Sequence, residues 1–171
     1  RSPWNFAYLC AISVMCMKRF ILLLTVLCTL QISSFAQLPS VSVETLSGEK
    51  IDVSTLVDGK TPLVISFWSV TCKPCIQELD AINEALEEWQ EEANFKIVAV
   101  STDDTRFAAK ARAFTEAHGW DAFTLLFDIN SDFKRAMNVN VNPQVFIVSA
   151  DGKLEWSHTG YTTGSEEEIL R

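Results

Sequence analysis

The spacing of apolar and polar residues predicts alternating strands and helices along most of the chain. Three short apolar runs have the character of strands buried in a sheet, and they lie at residues 63–68, 95–100 and 144–148. A fourth run, at 123–127, precedes a helical turn near 131–137. Longer segments at 74–92 and 105–118 predict helices, and in the first of them apolar residues recur every three or four positions. The pattern predicts an α/β domain with a central mixed β-sheet flanked by helices.

Shorter patterns predict a β-hairpin at each end of this core. Residues 41–46 alternate in a strand-like way, a Ser-Gly pair interrupts the alternation, and residues 49–53 resume it. An Asp-Gly pair predicts the turn of a second hairpin between 144–148 and 153–159. Ser165, followed three residues later by Glu, resembles a capping box, so we expect a final helix that is truncated after two turns.

Residues 1–36 are interpreted as leader sequence rather than as part of the fold. A Met-Lys-Arg segment that begins at Met17 supplies positive charge, an apolar stretch follows it, and small residues end the segment at Ala36. This order is typical of a secretory signal peptide cleaved after Ala36. The apolar stretch is short for a helix that crosses a membrane, which favours cleavage over a retained anchor. We expect the true start at Met17 and one exported domain over residues 37–171.

The length and net charge of the chain argue against some classes of function. A chain of 171 residues, 48% of them hydrophobic, can bury one core, and two domains are not expected. Three of the 14 basic residues but none of the 22 acidic ones lie in residues 1–36, so the net charge after cleavage is about −11. Such an acidic surface repels phosphate groups, which argues against nucleic acid as a partner.

The most informative motif is the pair Cys72 and Cys75 at the start of the helix predicted for 74–92. A helix that begins after a buried strand directs unpaired N–H groups and a partial positive charge at its first turn, which stabilises a thiolate on Cys72. Cys75 lies almost one turn further on, close enough to form a disulfide with Cys72 or to resolve a mixed disulfide with a substrate. The motif predicts that Cys72 attacks and that Cys75 resolves.

Three neighbouring residues are candidates for tuning this chemistry. Pro74 suits the first helical turn, and Lys73 places a positive charge between the sulfurs. Both also lie where a substrate would approach. Glu78 is three residues after Cys75 on the same helix, so its carboxylate can approach that thiol and exchange its proton. Helix position alone leaves a plainer role equally open, in which Glu78 stabilises the helix N-terminus.

Two other uses of the cysteine pair fit the sequence less well. A zinc site needs three or four protein ligands, but His118 and His158 lie at unrelated spacings and no second cysteine pair follows. A static disulfide across two intervening residues closes too small a loop to stabilise the fold much. We therefore expect redox chemistry at Cys72 and Cys75, with no metal and no bound cofactor.

The segment from Phe67 to Cys75 resembles the strand-to-helix active site of thioredoxin-like proteins, in which Trp and three further residues precede Cys-x-Pro-Cys. With the leader, the N-terminal hairpin and the insert between Gly119 and Met137, the chain is most similar to exported TlpA/ResA-like disulfide reductases. The resemblance implies a thioredoxin-like fold and thiol-disulfide oxidoreductase activity. It also implies disulfide-containing exported substrates such as apocytochrome c, a membrane thiol-disulfide electron donor and a periplasmic location.

The resemblance further implies roles for individual residues. Glu78 stands where ResA-like members carry a Glu, which favours its role in proton transfer, whereas Ser66 stands where thioredoxins proper have a buried Asp. Pro143 matches a cis-proline opposite the cysteines, and with Asn142 it is expected to bind an incoming extended peptide. Trp68 is expected either to shelter the disulfide and join the docking surface or simply to belong to the core.

Two alternative functions stay open on the sequence. One is a peroxiredoxin-like peroxidase, since that family shares the fold, although Ser69 stands where peroxide cleavage wants a Thr. The other is an exported copper or zinc carrier that uses the cysteine pair, with His158 as a distant third ligand. Reductases and oxidants share the Cys-x-x-Cys pair and differ in the stability of the thiolate, so the direction of exchange is a separate question.

Overall fold

The computed structural model describes residues 37–170, so the leader predicted for residues 1–36 lies outside the described residues. The strands of this part are β1 (Ser42–Thr45), β2 (Lys50–Asp52), β3 (Leu63–Trp68), β4 (Lys96–Ser101), β5 (Thr124–Phe127), β6 (Gln144–Val148) and β7 (Leu154–Thr159). Its α-helices are α1 (Lys73–Glu92), α2 (Ala108–His118) and α3 (Asp132–Ala136), and 3-10 helices form at Val53–Leu56 and Ser165–Leu170. Within residues 37–170, no helix combines the length and apolar character needed to cross a membrane.

The strands form one mixed sheet in the order β2-β1-β5-β4-β3-β6-β7. β3 is parallel to β4 and antiparallel to β6, while β4 is also parallel to β5. The antiparallel hairpins β1–β2 and β6–β7 form the two edges, and β1 joins the sheet by antiparallel pairing with β5. This arrangement confirms the predicted α/β fold, including the N-terminal β-hairpin extension.

The two faces of the sheet each pack into an apolar core. Alternate residues of β3 point to opposite faces, so Val64 and Trp68 join the core beneath α1, whereas Ile65 and Phe67 join the other. Phe133 of α3 belongs to that second core. α1 contributes the apolar stripe predicted from its spacing, formed by Leu79, Ile82, Leu86 and Trp89. Every residue of β3 is buried because both of its faces are covered.

Capping residues and local turns set the ends of the two longer helices. α1 has Cys72 as its N-cap residue and follows β3 after a short loop, as predicted. α2 begins at Ala108, three residues later than predicted, because the preceding residues form a turn in which the Phe107 N–H donates to the Asp104 carbonyl. Gly119 ends α2 at φ 66°, a left-handed conformation that glycine adopts without a steric penalty.

The C-terminal segment differs from the sequence prediction. Residues Ser165–Leu170 form a 3-10 helix and not the start of an α-helix. The Ser165 hydroxyl oxygen accepts from the Thr162 N–H, and the Glu166 carboxylate accepts from the Gly164 N–H. The prediction of a capping box formed by Ser165 and Glu168 is therefore wrong, because the Ser165 hydroxyl bonds to the preceding turn and the Glu168 carboxylate lies 3.7 Å from His158 Nδ1.

Arg112 of α2 ties the N-terminal hairpin to the sheet. Its guanidinium donates to the Glu44 carboxylate and to the Leu46 carbonyl, both at 2.7 Å, and also to the Thr45 carbonyl. The same group lies over the Phe127 ring, 4.1 Å from the ring centroid. One partly buried side chain thus joins β1, β5 and α2.

Replacing Arg112 by Ala should lower the free energy of unfolding by about 1–3 kcal/mol, because it removes the charge-assisted hydrogen bonds to Glu44 and Leu46 and the contact with the Phe127 ring. Urea denaturation measures this change. Arg106→Ala is the matched control, since Arg106 is mostly exposed and pairs with Asp104 at the surface, where an ion pair contributes little. Equal losses of stability in the two variants would contradict the bridging role of Arg112.

Candidate active site at the junction of β3 and α1

Cys72 and Cys75 lie at the start of α1, just after the loop that follows β3. β3 ends at Trp68, the loop 69–72 follows, and α1 begins at Lys73. The Cys75 N–H donates to the sulfur of Cys72 at 3.3 Å, so the N-cap residue satisfies a donor of the first turn. The two sulfurs are joined in a disulfide, with the Cα atoms 5.3 Å apart. The predicted pairing of these cysteines is confirmed.

The two sulfur-bearing residues differ in their exposure to solvent. Cys75 is fully buried, whereas Cys72 is partly exposed. Lys73 and Pro74, between them in the sequence, are both exposed on the first turn of α1. Cys72 is therefore the more solvent-accessible cysteine of the pair.

Glu78 lies one helical turn after Cys75, on the buried face of α1. It is only 3% exposed, and its Oε2 atom accepts a hydrogen bond of 2.8 Å from the hydroxyl of Ser66 on β3. Burial raises the pKa of Glu78 to about 7 against the opposing effect of the Ser66 bond, and the charge of Glu166 contributes a smaller rise. A carboxyl group with this pKa can take up and release a proton near neutral pH.

The segment Asn142–Pro143 lies beside the end of β3. Its peptide bond is cis, as predicted, and the β3–β6 register pairs the next residue, Gln144, with Phe67. The Asn142 amide donates to the Thr102 hydroxyl oxygen at 2.8 Å. The Thr102 N–H and hydroxyl in turn donate to the carbonyl of the last β3 residue, at 2.9 and 3.1 Å. These bonds connect the proline segment to the strand that leads to Cys72.

Trp68 belongs to the core rather than to the surface. Its side chain is fully buried and packs edge-on against Trp120, with ring centroids 5.0 Å apart, while Phe114 lies 5.9 Å away. This placement favours the core role over the docking role, because a bound peptide does not reach a fully buried indole. Trp89 and Trp120 are buried packing residues as predicted, and Trp156 packs partly buried against the same core.

Asp103 holds the loop that leads to Cys72, a role that the sequence patterns do not predict. Its buried carboxylate accepts hydrogen bonds from the Val70 N–H at 3.0 Å and from the Ser101 hydroxyl at 2.9 Å. Asp103 follows β4, which is parallel to β3, so the carboxyl ends of both strands meet at this edge. A polar residue directly after a buried strand is the signal that could have indicated this position.

Each of the two histidines contacts a carboxylate. His118 Nδ1 lies 2.8 Å from Asp80 Oδ1, and His158 Nδ1 lies 3.7 Å from Glu168 Oε2. In the part of the chain that the structure describes, no three His, Cys, Asp or Glu side chains are grouped so that they could hold a metal ion. Among residues 37–170, no third ligand of these types is therefore grouped with Cys72 and Cys75.

The sequence of the chain matches the model of a known protein family. Residues 28–157, which include both cysteines, match the model of the AhpC/TSA family, and they make up more than half of the chain. The chain belongs to the AhpC/TSA family. The matched range covers the strands from β1 to β6 and the three α-helices, so the family assignment rests on the whole active-site frame.

Proteins similar to this AhpC/TSA-family chain include thioredoxin-like proteins and a thiol-disulfide oxidoreductase. It is 34% identical to the thioredoxin-like protein YneN of Bacillus subtilis over 137 residues, 77% of this chain and 75% of that protein. It is 29% identical to the thiol-disulfide oxidoreductase ResA of Bacillus anthracis over 130 residues, 76% of this chain and 72% of that protein. An uncharacterised thioredoxin-like protein from Porphyromonas gingivalis matches its structure with a TM-score of 0.69 at 43% identity, covering 80% of this chain and 88% of that one.

The fold and the class of activity follow from these likenesses and from the site. The fold is thioredoxin-like, as the sequence resemblance implied. The Cys72–Cys75 disulfide in a Cys-x-x-Cys arrangement, together with relatives that are thiol-disulfide oxidoreductases, makes this AhpC/TSA-family chain a thiol-disulfide oxidoreductase.

The burial of Glu78 predicts a pH-dependent stability. Between about pH 4.5 and pH 7 the folded protein keeps the Glu78 proton while the unfolded chain releases it, so the free energy of unfolding should fall as the pH rises. Glu78 alone should lower the free energy of unfolding by about 3 kcal/mol over this pH range, at about 1.4 kcal/mol per pH unit. Glu78→Gln should remove this decrease, which urea denaturation at pH 5 and pH 8 measures.

Glu88→Gln is the matched control for this prediction, because Glu88 is exposed on the same helix. It should keep the pH dependence of the wild-type protein. A Glu78→Gln variant with the wild-type pH dependence would show that burial does not hold the Glu78 proton.

Proposed function

We propose that the chain reduces disulfides in exported proteins, with Cys72 as the attacking thiol and Cys75 as the resolving thiol. The observation that supports this order of attack most directly is the unequal burial of Cys72 and Cys75 at one helix N-terminus. The sulfur of Cys72 can meet a substrate, while the buried sulfur of Cys75 can react only with Cys72. Glu78, buried one turn away, offers a proton acceptor to Cys75 where water has little access.

The first step is attack by the Cys72 thiolate. It bonds to one sulfur of the substrate disulfide, and the other substrate sulfur leaves as a thiolate that takes a proton from solvent. The N-terminus of α1 favours the attacking thiolate, because backbone N–H groups and the helix dipole stabilise negative charge there. The Cys75 N–H already donates to the Cys72 sulfur at 3.3 Å, so one of these donors is in place.

The second step is resolution by Cys75. Its thiol gives its proton to the Glu78 carboxylate, and the resulting thiolate attacks the sulfur of Cys72. The Cys72–Cys75 disulfide forms, and the substrate leaves as its second thiolate with two electrons gained. A thiolate of a dithiol donor then attacks the sulfur of Cys72, which breaks the Cys72–Cys75 bond, and the released Cys75 thiolate takes the proton back from Glu78. The second thiolate of the donor attacks the donor sulfur of this mixed disulfide, so that Cys72 leaves as a thiolate and the donor keeps the new disulfide.

The surface beside the attacking cysteine suits an extended peptide. Lys73 and Pro74 are exposed on the first turn of α1, and Asn142 and Pro143 lie beside the end of β3. The preceding residue, Val141, is 60% exposed, so an apolar side chain is available to a substrate at the same place. We assign substrate docking to this surface and place the Trp68 side chain beneath it.

The same proposal covers the location and the partners of the protein. A signal peptide cleaved after Ala36 would deliver residues 37–171 to the periplasm. Disulfide-containing secreted proteins, including apocytochrome c, are the proposed substrates there, and a membrane thiol-disulfide relay is the proposed electron donor. The resemblance to TlpA/ResA-like reductases supports these assignments, and the acidic surface supports protein rather than nucleic acid as the partner.

Cys75→Ser should trap a substrate as a mixed disulfide, because Cys72 can still attack and the resolving thiol is absent. Protein that starts at Gln37 is incubated with insulin, and mass spectrometry under non-reducing conditions measures an adduct at Cys72. The matched variant Cys72→Ser should form no adduct and should lose about 1000-fold or more of the insulin-reducing rate.

Adduct formation through Cys75 in the Cys72→Ser variant would contradict the proposed order of attack. The absence of an adduct in both variants would contradict thiol-disulfide exchange with a protein substrate. Rapid consumption of hydrogen peroxide without insulin reduction would support the peroxidase alternative instead.

A further inference from the structure

The central strand β3 contains one small polar residue, Ser66, in an otherwise apolar run. Ser66 is fully buried, and its backbone is paired on both sides, with Ala99 of β4 and with Val145 of β6. Sheet pairing therefore accounts for its backbone but not for its hydroxyl. A buried hydroxyl destabilises a fold unless it is hydrogen-bonded, so this residue needs a partner.

The partner of the Ser66 hydroxyl is Glu78. Ser66 lies on the same face of β3 as Val64 and Trp68, which is the face that α1 covers. Its hydroxyl donates to Oε2 of Glu78 at 2.8 Å. A carboxylate has two oxygens, so this bond occupies Oε2 and leaves Oε1 for another proton donor. Cys75, one turn before Glu78, carries the proton that must move during resolution.

We propose that Ser66 is a positioning residue for thiol exchange, which holds the Glu78 carboxylate so that Oε1 serves the thiol of Cys75. The inference rests on the proposed function in that it gives the proton of Cys75 to Glu78. The bond ties a flexible side chain of α1 to the centre of the sheet, where both faces are packed. Ser66 acts through Glu78, to which its hydroxyl is bonded.

The same bond affects how readily Glu78 carries charge. Burial raises the pKa of Glu78 to about 7, and the Ser66 hydroxyl opposes this rise because it stabilises the charged carboxylate. Cys75 is the reacting group on the same helix, and Tyr161 and Glu166 of the C-terminal segment face Glu78 from outside α1. Without Ser66, Glu78 would keep its proton to a higher pH and would accept the Cys75 proton less readily at neutral pH.

The direct test is a titration of the Glu78 carboxyl carbon by ¹³C NMR in the oxidised protein, in which neither sulfur of the pair titrates. Ser66→Ala should raise the pKa of Glu78 by about one unit. Ser66→Thr keeps the hydroxyl and should restore the wild-type value. Val64→Ala, a truncation on the same face of β3, is the matched control for packing and should not move the pKa. An unchanged pKa in Ser66→Ala would overturn the inference.

The second readout is the rate at which Cys75 resolves a mixed disulfide between Cys72 and glutathione, followed from pH 6 to pH 9. Ser66→Ala should shift this profile to higher pH by about one unit, so that resolution is about tenfold slower below pH 7 and little changed at pH 9. In the Glu78→Gln background, Ser66→Ala should cause no further shift. A shift that persists there, or no shift in the wild-type background, would overturn the positioning role.

These measurements separate failure of the inference from failure of the proposed function. If the wild-type protein shows no Cys72-dependent exchange at any pH, the proposed function fails. The NMR titration still reports whether Ser66 controls Glu78 in that case, and an unchanged pKa would overturn the inference independently. If exchange occurs and Ser66→Ala behaves like wild type in both readouts, only the inference fails.

Discussion

The packing of α1 across β3 is the constraint on which the rest of the site depends. Both faces of β3 are covered, so a polar group on it lies in a dry interior and needs a partner. The hydroxyl of Ser66 meets Glu78 of α1 at 2.8 Å, and the same packing buries Cys75 completely. The first turn of α1 lies at the surface and leaves Cys72 accessible. The unequal exposure of the two sulfurs thus results from where one helix begins and how it packs on one strand.

Polar contacts at the carboxyl ends of the strands hold the surroundings of this junction. Asp103 binds the Val70 N–H in the loop before Cys72, and Thr102 joins the end of β3 to the Asn142 amide. The loop, the end of β4 and the segment before β6 are therefore connected by hydrogen bonds. These bonds hold the loop before Cys72 and the proline segment at the same edge of the sheet.

The sequence predicted most of the architecture because the spacing of apolar residues reflects which positions are buried. The apolar runs became inner strands, the three-to-four spacing became the buried stripe of α1, and the Cys-x-x-Cys spacing brought the cysteines together. Contacts between distant residues leave no local pattern: Ser66 and Glu78 are 12 positions apart, and Val70 and Asp103 are 33 apart. At Ser165 a local pattern suggested a helix cap, but the hydroxyl bonds to the preceding turn. The Ser66–Glu78 and Val70–Asp103 bonds, in contrast, depend on tertiary packing, which spacing does not encode.

The equilibrium reduction potential of the Cys72–Cys75 pair against glutathione tests the proposed reductase most directly, on protein that starts at Gln37. We predict a value near or below about −250 mV, close to that of thioredoxin, so that the dithiol form donates electrons to substrate disulfides. A value near about −120 mV, typical of a strong oxidant, would contradict the proposed direction of exchange. A pair that never closes to a disulfide would contradict thiol-disulfide exchange at this site altogether.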